Sequence, residues 1–123
     1  MTLSINVSTF QGERIYKIPE QLLAFGAADT VKSFTIESSA KVHSIVIAHP
    51  LFTNSVTCIL SIENEDGRQI YATDPIANAA GVENIQALDD YVAMAGVCTI
   101  KATLSGVPGG TGGNVGVSMV LSR

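Results

Sequence analysis

The sequence predicts an all-β fold, an antiparallel β-sandwich of jelly-roll or related Greek-key type with about eight strands in one domain. Three observations predict it. Apolar residues recur with period two along most of the chain, turn residues punctuate the runs, and no long helical pattern interrupts them. A length of 123 residues suffices for one hydrophobic core and is short for two.

Each element follows from its residues. Leu3, Ile5 and Val7 alternate with Ser4, Asn6 and Ser8, an opening strand. Gln11-Gly12 permits a turn into Ile15, Tyr16 and Ile18, a second strand that is expected to stop at Pro19. Residues 20–28 read either as one helical turn or as an irregular loop that carries Leu22, Leu23 and Phe25 into the core. Phe34 and Ile36 mark a strand over 32–37. The β-branched run 42–48 is the next, ended by Pro50, which lacks the N–H that a central strand donates. Val56, Cys58, Leu60 and Ile62 face one way and Thr57, Ile59, Ser61 and Glu63 the other. Glu65-Asp66-Gly67 is a hairpin turn, because Asp-Gly tolerates positive φ, and 68–72 is the returning strand. Residues 74–95 read mainly as loop, with a short helix possible over 82–88. Alternation resumes over 98–104, and the glycine-rich stretch 106–113 leads to a last strand carrying Val115, Val117, Met119 and Leu121. An immunoglobulin-like sandwich is the runner-up, but there is no tryptophan and the cysteines bracket none.

Composition narrows function. The net charge is −4 and the seven Lys and Arg are scattered from Arg14 to Arg123, so the clustered cations of a nucleic-acid surface are missing. No run has the length of a membrane-spanning helix. The first residues lack the basic start and apolar core of a signal peptide, so the expected compartment is the cytoplasm of the cell that makes the chain. Cys58 and Cys98 sit in apolar strand patterns and read as buried free thiols.

Charge itself is scarce. Only 15% of residues are charged, against roughly 25% in an average soluble domain. From Ser38 to Ile62 the only charge is Lys41, and from Tyr91 to Ser122 the only one is Lys101. Solvated sheet faces normally carry charges, whereas the cores of protein–protein contacts are depleted in them. Two explanations compete: these are central strands buried within the domain, or their outward faces are covered by another chain.

The residues that could carry chemistry do not assemble into a motif. His43 and His49 are the only histidines; Ser44 and Asp29 could complete a nucleophilic set, but no spacing selects them. Glu63-Asn64-Glu65-Asp66 lacks the alternation of a calcium loop, and Asp89-Asp90 defines no carboxylate pair of a glycosidase. The 106–113 loop contains no lysine and precedes a strand, unlike a phosphate-binding loop. Fixing its five glycines costs entropy, which is easiest to accept if a neighbouring molecule holds it. The expectation is a protein without enzymatic activity, cofactor or metal.

The closing segment, Leu104-Ser105-Gly106-Val107-Pro108-Gly109-Gly110-Thr111-Gly112-Gly113-Asn114-Val115 followed by an apolar strand, resembles the ends of small virion proteins of tailed bacteriophages. The length, acidity and all-β pattern are similar to capsid decoration, or cement, proteins. That resemblance implies a virion protein made in the host cytoplasm, bound outside a phage capsid and tying coat subunits together. It implies a homo-oligomer, dimer or trimer, with the major capsid protein or another virion protein as partner, and neither nucleic acid nor membrane. No binding residue of the family maps onto a numbered position here.

Expected contact residues are Thr2, Leu3, Ile5 and Val7 on the opening strand, Pro75, Ile76 and Asn78 in the 74–84 loop, and Val107, Pro108, Gly109, Gly110 and Thr111. Competing readings are a neck, tail or baseplate component and a carbohydrate-binding module. The latter stacks sugars on aromatics, and only Tyr16, Tyr71, Tyr91 and four Phe are available. A cupin-type enzyme needs more than two histidines.

Overall fold

A computed structural model describes residues 4–6, 15–86, 88 and 92–122. Among the described residues there are nine strands: β1 (Ser4–Asn6), β2 (Ile15–Phe25), β3 (Val31–Ser38), β4 (Lys41–His49), β5 (Cys58–Glu63), β6 (Gln69–Ala72), β7 (Gly81–Ile85), β8 (Gly96–Leu104) and β9 (Gly113–Ser122). They form two sheets, ordered β1-β3-β8-β5-β6 and β2-β9-β4-β7. The pairs β5·β6, β4·β7, β3·β8 and β2·β9 are all antiparallel, so the chain resembles one long hairpin, turning at β5–β6, wound on itself into two layers. Side-by-side pairing of β5 with β8 and of β4 with β9 closes that winding. This is the jelly-roll arrangement. β1 is an addition, paired parallel to β3 with Ile5 opposite Ile36.

The core follows from the period-two pattern. Phe34, Ile100 and Ile62 lie opposite one another across three strands of the first sheet, and Ile18, Met119 and Ile45 do so across the second. All six are buried, and each such side chain contributes roughly 1.5–3 kcal/mol by leaving water. Phe52, Val56 and Ile76 close one end of the sandwich, while Leu88, Val92 and Met94 are buried as well. Cys58 and Cys98 are buried free thiols separated by six residues' worth of β8, roughly 20 Å, and so cannot form a disulfide. Burial pushes the Cys58 thiol up to about 11, and burial likewise raises that of Cys98.

Three local expectations need correction. The second strand does not stop at Pro19 but runs to Phe25, so residues 20–25 are neither helix nor loop. Proline is tolerated because β2 is an edge strand with a bulge between Ile18 and Gln21, where no ladder hydrogen bond is demanded. Leu23 and Phe25 enter the core as expected, but Leu22 points outward. The segment 82–85 is strand, not helix: its backbone pairs with β4, which decides a sequence too weakly patterned to decide itself.

The β5–β6 turn forms at Glu65-Asp66-Gly67, with Gly67 at φ 84°. Asn64 fastens it, its Oδ1 accepting from the Asp66 and Arg68 N–H groups at 3.0 and 2.9 Å.

The structure also weighs the two accounts of missing charge. The charge-poor stretches supply β4, β9, β5 and β8, all interior strands of their sheets. Outward positions there are flanked by neighbours on both sides. Thr57, Ile59, Thr99 and Thr103 are half-buried, and Ser61 is buried. Lack of charge on those strands is therefore largely explained within the chain, and the argument for a covering partner moves to the loops.

Candidate interaction surface

Four connections meet at one end of the sandwich: residues 26–30 (β2–β3), 50–57 (β4–β5), 73–80 (β6–β7) and 105–112 (β8–β9). The winding dictates this, since alternate connections of a jelly roll emerge at the same pole. Asparagine side chains tie them together. The Asn54 backbone N–H donates to the Pro108 carbonyl at 2.8 Å, and its side-chain amide donates to the Val107 carbonyl at 3.0 Å. Asn78 Nδ2 donates to the carbonyls of Phe52 and Asn54, and its Oδ1 accepts from the Phe52 N–H at 2.9 Å. Gly109 N–H donates to the Ala27 carbonyl at 3.1 Å, bringing in the fourth loop.

The glycines of the last loop serve this packing. Gly109 and Gly112 adopt φ of 72° and 73°, and a side chain on Gly112 would run into the backbone of Phe25 and Gly26. The loop is thus held by its own chain, and the expectation that a neighbouring molecule must supply the ordering is not needed. Ala27, Asn54 and Phe25 do that locally.

The tip of this pole is almost without charge. Its four loops contain two carboxylates, Asp29 and Asp74, and no cation. Asp29 is engaged: it accepts from the Gly26 N–H at 2.8 Å and pairs with Lys32 at 3.4 Å. These two partners, the backbone donor first, hold its carboxyl below the usual carboxylate value. Exposed around them are Leu51 at 67% and Val107 at 46%, with Thr53, Ser55, Gly110, Thr111 and Pro75. A preorganised, charge-poor rim of small and apolar residues suits contact with another protein, because little entropy and little desolvation oppose it.

The expected contact residues divide. Asn78, Val107, Gly109, Gly110 and Thr111 come together at the pole, Asn78 as an internal tie. Pro75 is exposed nearby. Ile76 and Pro108 correct the expectation, because both are buried: Ile76 is 9% exposed and bridges Cys58 by two backbone hydrogen bonds. Ile5 lies away from the pole, opposite Ile36 on the sheet edge, and Thr2, Leu3 and Val7 lie outside the described residues. Sequence reasoning missed the 50–57 loop altogether. Its signal was present, as Leu51 to Thr57 carries no charge between two strong strands.

Other features offer less. His49 is 5% exposed, packed edge-on against Phe52 at 5.5 Å, and neither ring nitrogen has a hydrogen-bond partner among the described residues. His43 is half-buried, whereas His49 is buried. No nucleophile or carboxylate among the described residues is bonded to the His49 ring. A cleft of about 470 Å³ opens between the β6 and β7 edges, lined by Tyr71, Asp74, Pro75, Glu83 and Ile85 among others. Among the described residues no group of three metal-ligating side chains converges. Nor is any described aromatic ring fully exposed for stacking, since Tyr16, Phe25, Phe34 and Phe52 are buried and Tyr71 is half-buried.

No family model matches this chain, and no curated protein matches it by sequence. Solved structures do. A chain in the capsid asymmetric unit of cyanophage Pam1 superposes with a TM-score of 0.62 at 14% identity, covering 94% of this chain and 91% of that one. A chain in the capsid of Ralstonia phage GP4 gives 0.59 at 10% identity, covering 100% and 98%. At these identities what is shared is the fold, over nearly the full length of both chains. The carbohydrate-binding module TmCBM61, whose structure holds β-1,4-galactotriose, reaches a TM-score of 0.49 at 10% identity, covering 92% and 85%, and carries no argument.

Proposed function

We propose that this chain is a non-enzymatic structural protein of a phage virion, which binds the outside of the capsid through its loop pole and cements neighbouring coat subunits. The observation that carries the reading is the pole itself, four loops locked together by Asn54 and Asn78 that present Leu51 and Val107 with almost no charge. A small domain normally keeps its loop tips polar and charged, so a charge-poor, ordered tip is suited to being covered. Two chains of phage capsids share the fold almost end to end, which supports the same setting. Each contact need be only modest, because shell symmetry multiplies it into high avidity.

Co-sedimentation with shells of the phage that encodes this chain tests the proposal. The wild-type chain is expected to bind at a fixed ratio to coat subunits. Leu51→Glu and Val107→Glu, at exposed positions where folding is unaffected, are expected to reduce that binding at least about tenfold, since each places a charge in a desolvated contact. Failure of the wild type to bind shells, while binding isolated necks or tails, would assign it to those components instead. Full binding by both variants would exclude the pole.

A further inference from the structure

We infer that the cleft between the β6 and β7 edges receives an extended segment of another protein, laid along β7, with an arginine or lysine seated against Asp74 and Glu83. The cleft is the gap between the two layers, left unfilled on this side of the sandwich. In the second sheet one inward row begins at buried Ile18, passes through Met119 and Ile45, and ends at half-buried Ile85. In the next, buried Ile47 lies opposite Glu83, so the last inward place of that row holds a carboxylate instead of an apolar side chain. From the other sheet Tyr71, opposite buried Ile62, faces inward as well. These side chains line a space of about 470 Å³, the size of an ordinary ligand site.

Charge selects the occupant. Asp74 and Glu83 are exposed, and no Lys or Arg lines the cleft. Neither carboxylate enters a hydrogen bond or ion pair among the described residues. A cationic side chain placed there meets two carboxylates not yet neutralised, while its aliphatic stem covers Ile76 and Ile85. An inward charge on an edge strand also deters pairing with strangers. The two roles agree, because Glu83 excludes an apolar strand, which would bury it unpaired, and admits a cationic one.

The backbone supplies the rest of the site. β7 pairs with β4 on one side and, among the described residues, with no strand on the other. Its open edge therefore offers alternate N–H and C=O groups to a strand that joins it. The opposite wall is already fixed. Cys58 and Ile76 exchange two backbone hydrogen bonds, the Thr73 N–H donates to the Leu60 carbonyl at 2.9 Å, and Thr73 Oγ1 accepts from the Leu60 N–H at 3.1 Å. Little ordering of the cleft is left for binding to supply. The inference does not rest on the shell-binding reading, since a free peptide tests it.

The probe is acetyl-Thr-Val-Thr-Arg-Thr-Val-Thr-amide, with a counterpart that carries Glu in place of Arg. Titrated into the full chain up to about millimolar concentration and followed by amide chemical shifts, the arginine probe is expected to bind at least about tenfold more tightly than the glutamate probe. The shifts should centre on Tyr71, Ile76, Glu83 and Ile85. Asp74→Asn with Glu83→Gln should abolish the preference, and Asp74→Lys with Glu83→Lys should reverse it. Both positions are exposed, so the variants should keep the wild-type circular dichroism and melting curve. Of two arginine probes N-methylated on alternate residues, one for each edge, at least one should lose binding. Leu51→Glu should leave probe binding unchanged, which separates this test from that of shell binding. No binding of the arginine probe, equal binding of the two probes, shifts centred elsewhere, indifference to charge reversal, or undiminished binding of both methylated probes would overturn the inference.

Discussion

Replacing His49 by leucine should stabilise the protein, against the usual direction of a core substitution. The imidazole is 5% exposed, and both nitrogens lack a partner among the described residues. A buried polar group left unsatisfied costs about 1–3 kcal/mol, and leucine has nearly the same volume without that cost. Against this stands the loss of the edge-on contact with Phe52, worth about 0.5–1 kcal/mol. The difference favours the variant by about 0.5–2 kcal/mol. With an unfolding entropy of about 0.26 kcal/mol/K for 123 residues, the midpoint should rise about 2–8 °C. Thermal unfolding followed by circular dichroism, with urea unfolding at constant m-value, measures it. A fall of about 1 kcal/mol or more would refute the reasoning, because it would mean that the ring nitrogens are satisfied in the folded protein.

Two further predictions concern the loop pole. Gly112→Ala should destabilise by about 2–4 kcal/mol, combining positive φ with a collision against the Phe25 and Gly26 backbone, and should open residues 105–112 to proteolysis; near-wild-type urea stability would contradict the packing described. Asp29→Asn should lower stability at neutral pH. The folded carboxyl lies below its unfolded value, so its contribution is present above pH ~3.8 and disappears as pH falls through the lower folded value. The gap between wild type and variant should therefore close in acid, and a gap that widens there would show that Asp29 acts otherwise.

Much of the architecture was legible because a half-buried strand writes its burial in period two. Strands carrying Phe34, Ile36, Val42, Cys58, Leu60, Ile100, Ala102, Val117 and Met119 place those residues inside as the alternation requires. Where the pattern lapsed, neighbours decided. Glu20 to Phe25 became strand because β9 offers a ladder on one side and the open edge tolerates Pro19 on the other. Val82 to Ile85 became strand because β4 needed a partner. The pole was half legible: glycines marked one loop, but hydrogen bonds from Asn54 and Asn78 to backbone many residues away have no local signature.

Composition and alternation by themselves determined a charge-poor, two-layered β protein with two buried thiols. Both are properties of consecutive residues, which act before any long-range contact forms. Only the tertiary structure decided which uncharged residues are covered by the chain itself and which remain outside. Burial at Thr99 or Ile76 depends on strands distant in sequence, whereas Leu51, Val107, Leu22 and Val82 stay exposed because none of the described residues passes over them.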